Sequence, residues 1–174
     1  PILIGRPAVI AKRIEKLGLK LEAGKDFELV NNESDPRFGD YWKEYYNLMK
    51  RKGVSQEQAR RRVIGNTTLI GALMVRRGEA DALICGTYGT YRQHLDIVRD
   101  VIGYAREDKV AGATTALIPP TGNIFIADTY VNESPDAPQL AAITEMAARA
   151  VSRFGIAPKV ALLSNSSFGT WNTE

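Results

Sequence analysis

The sequence contains only one cysteine and one histidine among its 174 residues. Cys85 therefore has no partner for an internal disulfide, and one cysteine with one histidine does not make a Cys/His metal site. No apolar run approaches the roughly 20 residues that cross a bilayer. No basic start followed by an apolar stretch indicates a secretion signal. We therefore predict a cytoplasmic protein with no disulfide, no metal site in this chain and no membrane partner.

The sequence also lacks a large excess of either charge, because 23 basic and 20 acidic residues leave a net charge of only +3. That value is too small to indicate a nucleic-acid partner, and the basic clusters lack the interleaved aromatic residues that stack on bases. These clusters are residues 50–52, 60–62 and 76–77. They have two interpretations, an anion site for a phosphate-bearing ligand or solvated helix faces and helix ends. We predict no nucleic-acid partner.

The distribution of apolar residues predicts an α/β fold. Short apolar segments predict strands at residues 2–4, 27–30, 82–85, 113–118, 124–127 and 159–163. Segments with helical periodicity predict helices at residues 9–17, 67–75 and 139–154, with two more beginning near Asp35 and Ser55. Strands that alternate with helices favour a mainly parallel sheet with flanking helices.

Both ends of the sequence suggest part of a longer protein. Pro1 lies directly before a predicted strand, and Glu174 follows the last predicted strand closely. A parallel sheet would need a further crossover helix after that strand. We therefore expect residues 1–174 to be a truncated piece of a longer chain.

Two turns rich in glycine and hydroxyl groups are candidate binding loops. Residues 86–90 follow the predicted strand at 82–85, and residues 164–170 follow the strand at 159–163. Ligands collect beyond the carboxyl ends of strands in open α/β sheets. The alternative is that both turns only cap helices. Neither turn matches a dinucleotide or Walker loop, so we predict no nicotinamide or ATP site in this chain.

His94 and Cys85 are weaker candidates. His94 lies in the helix after the 86–90 turn and has no serine or cysteine partner at a recognisable spacing. Cys85 ends an apolar segment, which favours an inert thiol in the core over a nucleophile. We therefore predict no catalytic residue in this chain.

Four segments carry a family resemblance: PILIGRP, GEADALICGT, IFIADTYVNESPDAPQLAAIT and KVALLSNSSFGT. Together they resemble the phosphate acetyl/butyryl transferase family. The segments DYWKEYYNLMKRKGVSQEQARRRV and HLDIVRDVIG are most similar to the transferase-like carboxyl-terminal domain of bacterial NADP-dependent malic enzymes. The resemblance implies a two-lobed, phosphotransacetylase-like architecture of the isocitrate/isopropylmalate dehydrogenase type. It also implies a CoA-binding cleft between the lobes and dimerisation through this domain.

The sequence departs from the active transferases at two points. Their glycine-hydroxyl turn is followed by a leucine-arginine-proline motif, in which the arginine serves the acetyl phosphate site. Aligning that leucine on Leu95 puts Asp96 in the arginine's place, where an acid would repel phosphate. The family's catalytic Ser-Arg pair belongs far beyond Ser164, outside this sequence.

The resemblance implies a set of residues that bind acyl-CoA or acyl phosphate. These residues are Thr87, Thr90, Arg92, Ser164, Ser166 and Ser167. We expect Thr87, Thr90 and Ser166 to line one cleft, with Arg92 at its mouth. The implied partners are a second copy of the chain, an acyl-CoA molecule and the malic enzyme domain of the same chain.

The resemblance favours a regulatory and oligomerisation domain. Acetyl-CoA would bind it and inhibit malate oxidation by a separate malic enzyme region, which would hold NADP and Mg²⁺ or Mn²⁺. The alternative is an acyl transferase that moves acetyl or butyryl groups between CoA and phosphate. In that case Ser164, Ser166 and Ser167 would lie near the acyl group.

Overall fold

A computed structural model describes residues 1–104 and 110–163. The chain divides into two compact units, Pro1–Gly103 and Tyr104–Glu174. The first unit contains β1 (Ile2–Ile4), α1 (Pro7–Lys16), β2 (Glu28–Val30), α2 (Phe38–Met49), a 3₁₀ turn (Lys50–Lys52), α3 (Gln56–Gly65), α4 (Thr67–Arg76) and α5 (Tyr91–Val101). The second unit contains β3 (Thr114–Leu117), β4 (Ile124–Ala127) and α6 (Ala137–Ser152).

The helices begin where capping groups satisfy the first backbone amides. The hydroxyl of Ser55 accepts a hydrogen bond from the Gln58 amide, and the Gln58 side chain accepts one from the Ser55 amide. This confirms the predicted start of α3. Asp136 and Gln139 form the same arrangement, so α6 begins at Ala137, two residues before the predicted start.

The predicted mainly parallel sheet is not confirmed. The described residues form two separate two-stranded sheets, of which β1–β2 is parallel and β3–β4 is antiparallel. The connections explain the difference. A parallel pair needs a long crossover, which α1 provides between β1 and β2, whereas the short turn at residues 118–123 can only reverse the chain.

The predicted strands at residues 82–85 and 159–163 are wrong. Both segments are irregular and belong to no sheet of the described residues. Ile84 is 99% exposed, Leu163 is 89% exposed, and Cys85 is exposed and not in the core as predicted. Apolar composition does not make a strand when no neighbouring strand pairs with its backbone groups.

The core of the first unit is built mainly on α4. Its residues from Thr68 to Met74 are all buried, as expected for a helix that is apolar all round. One face of α2 also packs into this core, because Tyr41, Tyr45 and Met49 are buried at a spacing of four residues. Ala59 and Val63 of α3 pack into the same cluster.

Glu79, just after α4, is the centre of a charged network. Its carboxylate accepts hydrogen bonds from the Tyr41 hydroxyl and from Nε of Arg77, both at 2.5 Å. Burial opposes ionisation of Glu79, but these hydrogen bonds outweigh it and lower its pKa. Nearby, a hydrogen bond from Arg37 lowers the pKa of Asp35, although burial opposes this shift. The network ties α2 to the end of α4.

Acid is therefore expected to destabilise the first unit. The unfolded chain binds protons at the ordinary pKa values of 4.5 for glutamate and 3.8 for aspartate, above the folded values of Glu79 and Asp35. The ionised carboxylates of Glu79 and Asp35 stabilise the folded state fully at pH values above their unfolded pKa values. This stabilisation is lost as the pH falls through their lower folded pKa values. Urea unfolding midpoints measured from about pH 6 to about pH 3 should therefore fall.

The Glu79→Gln variant should show a weaker dependence on pH over the same range. Glu57→Gln is the matched control, because Glu57 is 77% exposed and forms only a surface pair with Arg61. The prediction fails if Glu79→Gln keeps the full pH dependence of the unmodified protein.

Asp128 has the equivalent structural role in the second unit. Its carboxylate accepts hydrogen bonds from the backbone amides of Ala113 at 2.9 Å and Asn132 at 2.8 Å, and from the Asn132 side chain at 2.6 Å. Burial opposes ionisation, but these hydrogen bonds lower the pKa of Asp128 overall. Asp128 thus fixes the chain that follows β4 against the residue before β3.

Candidate functional site

A large groove of about 1430 Å³ lies in the first unit, between β1, α4, α5 and residues 80–89. We call it the acyl groove, after the acyl ligand that the resemblance predicts for Thr87, one of its lining residues. Its apolar wall includes Ile4 and Leu83, which meet over Gly71 of α4. A Cβ at Gly71 would lie 2.6 Å from Cδ1 of Leu83, so the missing side chain allows this close contact. Thr68 and Thr87 are among its polar lining residues.

The 86–90 turn caps a helix and also contributes residues to the groove lining. Thr90 caps α5: its hydroxyl accepts a hydrogen bond from the Gln93 amide, and the Gln93 side chain accepts one from the Thr90 amide. Gly86, Thr87 and Gly89 line the acyl groove. The structure therefore places Thr87 at the groove and assigns the Thr90 side chain to the helix cap.

His94 supports this turn from the first part of α5. Its Nε2 lies 2.7 Å from the Tyr88 carbonyl oxygen, and its Nδ1 lies 2.9 Å from Oγ1 of Thr68. His94 also lines the acyl groove. The sequence interpretation missed this role because Thr68 lies 26 residues away on α4. A histidine one helical turn after a glycine turn was the available signal.

Asp96 lies on α5 in the wall of the acyl groove. Its Oδ1 is 3.3 Å from Nε of Arg92 and 2.9 Å from Nη2 of Arg99. The Arg92 side chain is 66% exposed and does not line the groove. Asp96 is therefore paired with two cations of its own helix.

The basic clusters fit the helix-face interpretation at several positions. Lys52 pairs with Asp100 at 2.8 Å, Arg61 pairs with Glu57 at 3.1 Å, and Arg76 donates to the Val101 carbonyl at 2.9 Å. Arg62 is different, because it also lines the acyl groove. Most of these cations are therefore explained by pairing within the first unit.

Three predicted ligand residues, Ser164, Ser166 and Ser167, lie outside the described residues, so a cleft shared by Thr87, Thr90 and Ser166 stays a prediction. Within residues 1–104 and 110–163, no group of three His, Cys, Asp or Glu side chains could hold a metal ion. The same ranges contain no helix with the length and hydropathy of a membrane span.

The sequence profile described as phosphate acetyl/butaryl transferase matches residues 1–174. The chain belongs to this family. It is 64% identical over 173 residues to an NADP-dependent malic enzyme from Salmonella typhimurium, covering 99% of this chain and 23% of that protein. It is 30% identical over 166 residues to a phosphate acetyltransferase from Nitratidesulfovibrio vulgaris, covering 95% of this chain and 23% of that protein.

A solved structure in the family has the same fold. The EutD phosphotransacetylase from Staphylococcus aureus superposes with a TM-score of 0.80 at 24% identity, covering 100% of this chain and 51% of that chain. This confirms a phosphotransacetylase-like α/β fold. The chain spans less than a quarter of the length of the malic enzymes that it matches.

Proposed function

We propose that this chain is the regulatory and oligomerisation domain of an NADP-dependent malic enzyme. Acetyl-CoA binds in the acyl groove and inhibits the oxidative decarboxylation of malate to pyruvate by another region of the same polypeptide. The observation that carries the proposal is Asp96 in the groove wall, at the position where the resemblance implies an arginine that serves acetyl phosphate in the active transferases. The 64% identity to malic enzymes, against 30% to a phosphate acetyltransferase, supports it.

The acyl groove suits a thioester ligand better than a small anion. Ile4 and Leu83 offer apolar surface to an acyl-pantetheine arm, and Thr87 offers a hydroxyl. Arg92, next to Gln93 on the groove, meets the CoA phosphates at the mouth. NADP and a divalent metal ion, Mg²⁺ or Mn²⁺, belong to the malic enzyme region.

The proposal includes the finer architecture that the resemblance implies. This architecture is that of the isocitrate and isopropylmalate dehydrogenases, and Ser164, Ser166 and Ser167 are further ligand residues that the resemblance implies. A second copy of the chain binds through this domain. The protein acts in the cytoplasm.

A transferase is the second candidate function, favoured by the family membership itself. The test is to mix acetyl phosphate and CoA with the intact protein and follow thioester absorbance. We expect no turnover, whereas a rate near the roughly 10 per second typical of enzymes would favour the transferase. Asp96→Arg should tighten phosphate binding, while Asp100→Arg on the same helix should do so less.

Arg92→Ala is expected to raise the acetyl-CoA concentration that half-inhibits malate oxidation by about 10-fold. A hydrogen bond to a charged group contributes roughly 1.5 to 3 kcal/mol, and Arg92 belongs at the lower end because its side chain is largely exposed. Inhibition is measured relative to each variant's own uninhibited rate. Arg61→Ala is the matched control, because the Arg61 side chain is about as exposed as that of Arg92 and also forms an i,i+4 ion pair, on α3.

If Arg92→Ala leaves the inhibition curve unchanged, the placement of Arg92 at the groove mouth is wrong. If Arg61→Ala shifts the curve by the same amount, the effect comes from lost surface charge. Acetyl-CoA can change malate oxidation only through different affinities for two states, with a typical coupling of about 1 to 3 kcal/mol. The size of the maximal inhibition therefore bounds this coupling.

A further inference from the structure

The 86–90 turn is held at two points by consecutive side chains of α5. Gln93 fixes Thr90 through the helix cap, with hydrogen bonds of 3.1 and 3.3 Å. His94 fixes the Tyr88 carbonyl at 2.7 Å. Thr87, which lines the acyl groove, directly precedes the residue that His94 holds. The position of its hydroxyl therefore depends on the histidine.

The partners of His94 determine which ring nitrogen carries the hydrogen. A backbone carbonyl can only accept, so Nε2 must donate to Tyr88. In the neutral ring Nδ1 then accepts from the hydroxyl of Thr68, which is only 6% exposed. The Tyr88 carbonyl thus selects the tautomer, and the buried hydroxyl on α4, which can donate or accept, satisfies the other ring nitrogen.

Gly89 shows how closely the turn approaches the ring. Its φ is +97°, and a Cβ there would lie 3.1 Å from Nε2 of His94 and 3.2 Å from Oε1 of Gln93. A side chain at residue 89 would therefore require His94 and Gln93 to shift by a few tenths of an ångström. Three consecutive features, a left-handed glycine, a cap and a histidine hydrogen bond, therefore define one conformation of the turn.

We infer that His94 is a positioning residue for the acyl-CoA site, and that Thr68 orients it. The inference rests on the proposed function, because it assigns the Thr87 hydroxyl to the ligand. His94 does not touch the reacting atoms and performs no proton transfer. It keeps the 86–90 turn in the conformation that presents Thr87 to the groove.

The test compares three replacements of His94 in the intact protein. Glutamine places an amide donor near the position of Nε2, asparagine places its amide nearer to Nδ1, and phenylalanine keeps the ring without either bond. Equilibrium dialysis against acetyl-CoA should show affinity within about 2-fold of the unmodified protein for His94→Gln. His94→Asn and His94→Phe should weaken binding by about 3- to 10-fold.

A second pair of variants tests the buried hydroxyl. Thr68→Val should weaken acetyl-CoA binding by about 2- to 5-fold, because the ring loses the partner of Nδ1. Thr144→Val is the matched control, since it removes a threonine hydrogen bond to the Leu140 carbonyl in α6. Equal losses for His94→Gln, His94→Asn and His94→Phe would overturn the inference, because packing alone would then explain them.

A spectroscopic readout separates this inference from the proposed function. In ¹⁵N spectra of histidine-labelled intact protein, the signals that disappear in His94→Gln should belong to the Nε2–H tautomer. Amide exchange at residues 88–90 should quicken in His94→Asn and not in His94→Gln. An Nδ1–H tautomer, or exchange that is the same in both variants, overturns the inference.

If the unmodified protein does not bind acetyl-CoA, the proposed function fails and the histidine signals alone decide whether His94 holds the turn.

Discussion

Replacing Gly89 with alanine is expected to raise the acetyl-CoA concentration that half-inhibits malate oxidation by about 10- to 100-fold. Gly89 has φ of +97°, a conformation that costs a residue with a side chain about 1 to 3 kcal/mol. The new Cβ would also press on His94 and Gln93, at 3.1 and 3.2 Å. The turn would relieve the backbone strain and the close contacts by changing its conformation. The conformation proposed to bind acetyl-CoA would then be less populated.

Gly24→Ala is the matched control for this variant. Gly24 has a similar φ of +83°, but a Cβ there would meet nothing within 4 Å, and the residue does not line the acyl groove. Gly24→Ala should lower the free energy of unfolding by a similar amount without shifting the acetyl-CoA inhibition curve. The account of the turn is contradicted if both variants shift the inhibition curve equally, or if Gly89→Ala leaves the curve unchanged.

Replacing Leu73 with alanine should destabilise the first unit by about 2 to 5 kcal/mol, because the change leaves a cavity in a packed core. Leu73 is fully buried on α4, where it packs among side chains from α2, α3 and β2. Hydrogen exchange of the α4 amides in the intact protein measures the loss locally. Those amides should exchange faster by the factor that this free energy implies.

Leu17→Ala is the control for the cavity. Leu17 is 69% exposed at the end of α1, so the same change of side chain should cost less than about 0.5 kcal/mol. A small effect at Leu73 would mean that the α4 core is loosely packed. A large effect at Leu17 would mean that an unseen contact covers α1.

The sequence predicted the elements whose signals are local. Ser55 and Gln58 are three residues apart, and the apolar residues of α2 recur at helical spacing within one segment. The capping box and the helix could therefore be recognised directly from the sequence. The prediction of a strand at residues 82–85 is wrong because strand pairing depends on a distant neighbouring strand and not on the segment itself. The antiparallel β3–β4 pair was likewise decided by its short connection.

The same distinction, between local signals and contacts among distant elements, applies to the candidate site. Thr90 was chosen for its place in a hydroxyl-rich turn, but the structure uses its side chain as a cap, which the same local pattern also allowed. The sequence predicts no catalytic role for His94, because no partner residue lies at a recognisable spacing along the chain. Its partner, Thr68, is close only after α4 and α5 pack together. Contacts between elements were therefore the missing information.

Asp96 illustrates what the resemblance contributed beyond the pattern of residues. Its position one residue after Leu95 has no special meaning by periodicity alone. The resemblance implied a lost cation, and the structure puts Asp96 in the groove wall, beside Arg92 and Arg99. Charge pairing within α5 explains how an acid is accommodated at that position.

We propose that acetyl-CoA binds this domain and lowers malate oxidation without being consumed. The most direct measurement is the rate of NADPH formation by the intact protein at fixed malate, while acetyl-CoA is increased until the rate stops changing. We predict a saturable fall in rate, with the acetyl-CoA recovered intact in the presence of phosphate. A rate that is unchanged at every acetyl-CoA concentration, or conversion of acetyl-CoA to acetyl phosphate, would contradict the account.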